Sequence, residues 1–313
     1  MSISIPPLPT NKNLQWTTTA DGDPRGYIQP GTLRELWFHT GTACNLSCPF
    51  CLEGSKPGDS RLQQPTLEEL RPYMDEAVKL GVEQFSFTGG EPYVNKEFSM
   101  ILGYALEHRP ALVLTNGTLP IRKRMDEVLA LRDKPHDVRF RISFDYPDAA
   151  EHDASRGAGN FDLALQTLHD LHAAGFQVSI ARLAKKDEDT QAIDRAYTAQ
   201  FKKAGVPEDT LIVAFPEFLP PNSHPGGVPH ITENCMRTYH SEESRADFMC
   251  GFSRMVVKSD GDIRVYACTL VDDDPLYDLG SDLSESMKIR IRLGHHRCFS
   301  CFAYGASCSE GKG

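Results

Sequence analysis

Between residues 34 and 218 the hydrophobic positions follow two alternating rhythms, one of period two and one near 3.6, which predict a succession of strands and helices. Glu35–Thr40 (ELWFHT) alternates apolar and polar positions as a strand does. Pro65–Leu80 reads as a helix, because Leu67, Leu70, Met74 and Val78 share one face. Thr66 and Glu69, three residues apart, have the spacing of a capping box. Pro72 either kinks that helix or marks a later start. Further strands are expected at Gln84–Phe87, Leu112–Leu114, Val138–Phe144, Gln177–Arg182 and Leu211–Phe215. Helices are expected at Asn95–Glu107, Met125–Leu131, Phe161–Ala174 and Thr190–Ala204, the third capped by Asn160 and stopped by Gly175.

Six strands separated by helices imply an α/β fold with a parallel sheet and right-handed crossovers. Six units rather than eight predict a partial (β/α)6 barrel, open at one side, with its chemistry in the loops after the C-terminal strand ends. Residues 1–33, rich in Pro, Gly and Thr, read as an arm laid on the barrel of residues 34–218. Residues 219–249, with Pro-Pro-Asn-Ser-His-Pro-Gly-Gly, read as a linker or active-site loop. Residues 250–313 are short and cysteine-bearing; Met255–Val257 and Ile263–Ala267 flank Ser259-Asp260-Gly261, a hairpin signal. Arg156-Gly-Ala-Gly159 does not directly follow a strand and reads as the entry to a helix, not as a phosphate loop.

A net charge of −10 on 313 residues argues against an extended nucleic-acid or anionic-membrane surface. It is compatible with a cationic small-molecule substrate, but a solvated acidic surface is much the commoner reason for such a charge. No apolar run reaches the ~18 residues of a membrane span, and the N-terminus lacks a secretory pattern, so a cytoplasmic setting is expected. The nine cysteines fall in two groups, three within Cys44–Cys51 and six between Cys235 and Cys308. An odd count with tight spacings favours metal or cluster binding over disulfides.

Cys44-Asn-Leu-Ser-Cys48-Pro-Phe-Cys51 directly follows the first predicted strand. Three thiolates in eight residues can wrap an iron–sulfur cube and leave one iron for an exogenous donor. Structural zinc is the competing reading and wants a fourth ligand; the next 50 residues contain neither Cys nor His. His39, upstream on a strand, reads as a packed or pocket-wall residue.

This C-x3-C-x2-C spacing, with Phe50 before the last cysteine, resembles the signature of the radical S-adenosylmethionine superfamily. Further motifs of that family fall at successive strand ends: Thr88-Gly89-Gly90-Glu91-Pro92, Thr115-Asn116-Gly117 and Ser143-Phe144-Asp145. The resemblance implies a [4Fe–4S] cluster on Cys44, Cys48 and Cys51, with S-adenosylmethionine bound by Phe50, Gly89, Gly90, Glu91, Thr115, Asn116, Ser143 and Asp145. Glu91 would accept from the cofactor ammonium, the glycines would let backbone approach it, and Arg182 would meet its carboxylate. Taken singly, Thr-Asn-Gly is also common turn chemistry, and Ser143 or Asp145 could cap backbone groups.

Cys250-x17-Cys268 with Cys298-x2-Cys301 supplies the four thiolates of a second [4Fe–4S] cluster, and the hairpin would bring the first two together. The region resembles the twitch domain, a shortened relative of the SPASM domain, with spacing similar to the inosamine dehydrogenase of aminoglycoside biosynthesis; a zinc ribbon is the competing reading. Cys235 and Cys308 are buried spectators or, for Cys308, a replacement ligand. His295 and His296 read as a solvated turn.

The resemblance implies reductive cleavage of S-adenosylmethionine, fed by a flavodoxin or ferredoxin, and abstraction of hydrogen from an unactivated C–H bond by a 5′-deoxyadenosyl radical. The first expectation is dehydrogenation of an alcohol or amino-sugar-like molecule, with Glu217 as base. The alternatives are an epimerase in which Cys235 returns hydrogen, a peptide or protein maturase, and a non-catalytic electron carrier. The want of an N-terminal leader-recognition module counts against the maturase.

Overall fold

The computed structural model describes residues 14–185, 188–215, 219, 221–223 and 225–305. Its strands are β1 (Glu35–His39), β2 (Gln84–Thr88), β3 (Ala111–Thr115), β4 (Val138–Ser143), β5 (Gln177–Leu183), β6 (Ile212–Phe215), β7 (Ser253–Ser259) and β8 (Asp262–Tyr266). They form one sheet in the order β6-β5-β4-β3-β2-β1-β7-β8. Strands β1 to β6 are all parallel to their neighbours, giving the open (β/α)6 arrangement that the alternating rhythms predict.

The cysteine-rich region does not stand apart from this sheet. Strand β7 pairs parallel with β1, in the register Glu35↔Ser253 to Phe38↔Val256, and β8 returns antiparallel to it. The turn is the expected one: Asp260 and Gly261 both have positive φ, 52° and 90°, as a two-residue hairpin loop requires. A second tie comes from Tyr27–Ile28, which pairs antiparallel with Ile291–Arg292.

Alternation along the central strands sorts side chains between two cores. Leu36, Phe38, Phe85, Phe87, Phe140 and Ile142 pack against the helices, and Phe38 stacks on Phe87 at 5.4 Å. Trp37, Leu112, Met255 and Val257 face the opposite side, in a cluster that also holds Cys250, Cys268, Cys298 and Cys301. Fully burying each such large apolar side chain contributes about 1.5–3 kcal/mol.

The helix Leu67–Lys79 starts with the full capping box of Thr66 and Glu69 and runs unbroken through Pro72. The helix expected from Asn95 begins only at Phe98, because Pro92–Val94 forms a 3-10 turn and the Asn95 side chain donates to the Pro65 carbonyl. Asn160 is not the cap of its helix. The helix Asn160–Ala173 follows Gly159, and the Asp153 carboxylate accepts from the N–H groups of Gly159 and Phe161. That capping group comes from the preceding helix, Ala149–Arg156, and is invisible to a local reading. Among the described residues no helix is long and apolar enough to cross a membrane.

Candidate active site

The loop after β1 is clamped onto the end of β2. The N–H of Gly90 donates to the Gly41 carbonyl (2.9 Å) and that of Glu91 to the Ala43 carbonyl (3.1 Å). Thr42 donates from its hydroxyl to Asp59 (2.7 Å). The approach is so close that a Cβ at Gly90 would lie 2.3 Å from the Ala43 oxygen. Clamped in this way, the loop turns Cys44, Cys48 and Cys51 into one cavity at the C-terminal strand ends, also walled by Gly89, Gly90, Thr115, Asn116, Ser143 and Asp145.

Burial pushes the Cys44 thiol up to about 12, against the Leu46 N–H. Burial also raises Cys48, while the Arg156 guanidinium pulls it down. Arg156 lies over the Phe50 ring, 5.6 Å from its centroid, and is ion-paired through Nε with Asp145. Burial opposes its charge, but Asp145 and then Cys48 hold it above its ordinary range. The cavity therefore carries a fixed cation beside two of the three cysteines.

The cavity is also lined by Thr269 and Leu270, immediately after Cys268. Cys250, Cys268, Cys298 and Cys301 are all buried. Burial, then the charges of Cys250, Cys301 and Cys298, push the Cys268 thiol well above its ordinary range. Tyr277 holds the approach to Cys298: its hydroxyl accepts from the N–H groups of Gly294 (2.9 Å) and His295 (2.6 Å) and lies 3.9 Å from the Cys298 sulfur. Among the described residues neither cysteine set brings three sulfurs within 4.8 Å of one another, the spacing demanded by a single tetrahedral zinc ion. Three cavity-lining thiols suit a cube with one open iron, and four buried ones suit a closed cube.

Residues 38–196 match the family model of the Radical SAM superfamily. The chain belongs to that superfamily. As a radical SAM enzyme it uses a [4Fe–4S] cluster and S-adenosylmethionine. It is 33% identical over 134 residues to the mycofactocin maturase MftC of Mycolicibacterium smegmatis, covering 43% of this chain and 33% of the relative. It is 34% identical over 105 residues to the PqqA peptide cyclase of Granulibacter bethesdensis, covering 33% and 27%. The matched region thus spans about a third of the length of these relatives or less. Among solved structures its fold resembles Streptococcus suis SuiB bound to S-adenosylmethionine, with a TM-score of 0.59 and 13% identity over 82% of this chain and 66% of that one.

Several residues of the radical SAM site stand elsewhere than their motifs imply. The Glu91 carboxylate does not face the cavity. It is 1% exposed and accepts from the Tyr93 N–H, the Thr115 hydroxyl and the Asn116 N–H, stitching the end of β2 to the end of β3. Burial pushes it up to about 7 despite these donors. Gly89 and Gly90 make room for the cysteine loop more than for a ligand. A Cβ at Gly89, whose φ is +143°, would lie 2.7 Å from Thr40 Oγ1. Asn116 spans the site, donating to Asn45 (3.0 Å) and lying 3.8 Å from the Cys44 sulfur.

Arg182 lines the cavity, but its guanidinium is engaged by Glu188 at 2.6 Å and Asp194 at 3.8 Å. Arg156 is the cation that stands by the cysteines, and the motif reading passed over it. Cys235 sits on the helix Glu233–Tyr239, its sulfur 3.2 Å from the Thr232 hydroxyl, and is not among the residues lining the cavity. Glu217 and Cys308 lie outside the described residues. His295 is not in a solvated turn; its ring is turned inward to Asp273 at 3.3 Å.

A buried charge network between the two cysteine regions also went unread. Glu53, on the cavity wall, meets His39 (3.2 Å) and Arg61 (2.7 Å), and Arg61 meets Asp272 (3.0 Å). Against burial, His39, Arg61 and Arg297 hold the Glu53 carboxyl below the usual range. Its members are scattered over more than 250 residues, so no local motif marks it.

His152 gives a testable pH effect. It is fully buried between Phe144 and Phe161, with neither ring nitrogen paired. Burial, then Arg156, lowers it from 6.5 to about 4. The folded state therefore keeps His152 neutral where the unfolded chain takes up a proton. Its share of stability is whole above pH 6.5 and is lost as pH falls from there towards 4. His152→Phe should lose less stability than the parent over that window, by up to about 1.4 kcal/mol per pH unit. Urea unfolding at a series of pH values reads this; parallel curves for the two proteins would contradict it.

Proposed function

We propose that this radical SAM enzyme is a maturase that oxidatively modifies a peptide or protein substrate. The observation that carries the reading is that one cavity is lined both by Cys44, Cys48 and Cys51 and by Thr269 and Leu270, the two residues that follow Cys268. The substrate class follows from the kinship with a maturase and a peptide cyclase. Bound at these sites, the two clusters and S-adenosylmethionine supply the one-electron chemistry that removes hydrogen from an unactivated C–H bond and takes up a second electron.

The chain's own residues do the rest. Arg156 offers a cation to the cofactor carboxylate, with Asp145 fixing its direction. Gly90 sets the position of the cysteine loop. Trp37, Leu114, Leu183, Phe215 and Leu270 give the cavity an apolar lining, which keeps water from the reacting carbon.

Dehydrogenation of an amino-sugar-like molecule is the second reading. It is favoured by Glu53, an ionised carboxylate on the cavity wall able to meet an ammonium. The two are separated by anaerobic turnover of the reconstituted enzyme with S-adenosylmethionine and dithionite. Peptides encoded beside its gene are offered in one arm, and aminocyclitols in the other. The maturase reading expects a peptide that loses hydrogen, seen by mass spectrometry, together with 5′-deoxyadenosine. A ketone formed from an aminocyclitol, with every peptide unchanged in mass, would overturn it.

A further inference from the structure

Several buried or half-buried arginines around the two cysteine sets have a carboxylate partner. Arg61 meets Glu53 and Asp272, Arg156 meets Asp145, Arg182 meets Glu188, and Arg297 lies 3.6 Å from Asp273. Arg254 differs. It sits on β7 opposite Leu36 and is 0% exposed. Its guanidinium donates only to main-chain carbonyls, those of Cys250 (2.8 Å), Ser253 (2.6 Å) and Ser286 (3.0 Å), and its Nε has no partner. Among the described residues no carboxylate compensates it. The contact with the Cys250 carbonyl places the guanidinium beside the second cysteine set.

A buried cation without a counter-ion is strongly destabilising, since desolvation is not repaid by neutral carbonyls alone. A cube held by four thiolates carries net negative charge in both of its common oxidation states, and that charge grows on reduction. We propose that Arg254 is the built-in counter-charge of the auxiliary cluster and raises its reduction potential. The inference rests on the reading of Cys250, Cys268, Cys298 and Cys301 as ligands of that cluster. A fixed positive charge favours the more negative, reduced state, so the cluster becomes a better acceptor of an electron from substrate. Because the guanidinium is tied down by three carbonyls, it need not reorganise when the cluster changes charge.

The test uses the full chain with Cys44, Cys48 and Cys51 all changed to Ala, so that only the auxiliary cluster remains. About four irons per chain in this background is the first result required. A protein without iron would overturn the cluster reading itself, and the counter-charge with it. In the iron-loaded background, Arg254→Gln removes the charge and keeps a donor, whereas Arg254→Lys keeps the charge and loses the three-carbonyl clamp. The potential is read by dye-mediated titration followed by electron paramagnetic resonance.

Arg254→Gln is expected to lower the reduced-to-oxidised ratio at fixed potential about tenfold, a negative shift of about 59 mV for one electron. Arg254→Lys should stay near the parent value. A Gln variant that fails to fold beside a Lys variant with the parental potential also supports the charge role. An iron-loaded Gln variant with an unmoved potential overturns it. So do equal shifts in both variants, or failure of both to fold, each of which assigns Arg254 to clamping backbone alone.

Discussion

Gly90→Ala is expected to strip iron from the Cys44–Cys51 loop while leaving the sheet folded. The new methyl carbon would stand 2.3 Å from the Ala43 oxygen and 2.7 Å from the Thr42 oxygen, both rigid backbone atoms. Gly90 does not have a positive φ, so the whole penalty is collision. Relief requires the loop to withdraw from β2, breaking the bonds from Gly90 to Gly41 and from Glu91 to Ala43. Overpacking of this kind costs about 1–3 kcal/mol, and the withdrawn loop no longer presents three thiols together. Iron should fall by about four per chain. Gly81→Ala is the control. Its φ is +89° but nothing lies within 4 Å of its Cβ, so it should cost about 1–2 kcal/mol and keep all its iron. Full iron loading of Gly90→Ala would show that the clamp does not position the cysteines.

Arg156→Met should weaken S-adenosylmethionine binding about ten- to a hundredfold, because a charge-assisted hydrogen bond contributes about 1.5–3 kcal/mol. The variant also leaves Asp145 buried beside Cys48 with no cation to offset it. Pairing it with Asp145→Asn should therefore recover stability without recovering affinity. Arg182→Met is expected to change affinity little, since both Nη atoms of Arg182 already face partners, Glu188, the Leu183 carbonyl and Asp194, whereas Arg156 is paired with Asp145 through Nε. Calorimetric titration of the cofactor into the iron-loaded variants decides between them. Weakened binding in Arg182→Met with normal binding in Arg156→Met would reverse the assignment.

These two residues also show where the sequence was legible. The barrel could be read because the strands are short, apolar and separated by helices, the first of which carries its own cap at Thr66. The cysteine loops could be read because ligand spacing is local. What escaped was action at a distance. Gly-Gly marks a close approach, but only the fold shows that the approaching chain is Thr42–Ala43. Glu91 lies in the most recognisable motif of the site, yet its carboxylate is turned inward to Thr115 and Asn116. Arg156 closes the short helix that returns to the end of β4, and nothing in its neighbours' hydropathy marks it as a wall of the cavity. The peptide-directed reading came from kinship, because the loops that would recognise a substrate have no periodic pattern to read.

The central claim is that one cavity lies between two iron–sulfur clusters, only one of them open to S-adenosylmethionine. It is tested most directly by iron and sulfide analysis with Mössbauer spectroscopy of the anaerobically reconstituted chain and of its Cys44, Cys48 and Cys51 to Ala variant. The account predicts about eight irons in the parent and about four in the variant, with a cofactor-induced spectral change in the parent alone. About four irons in the parent and none in the variant would contradict it.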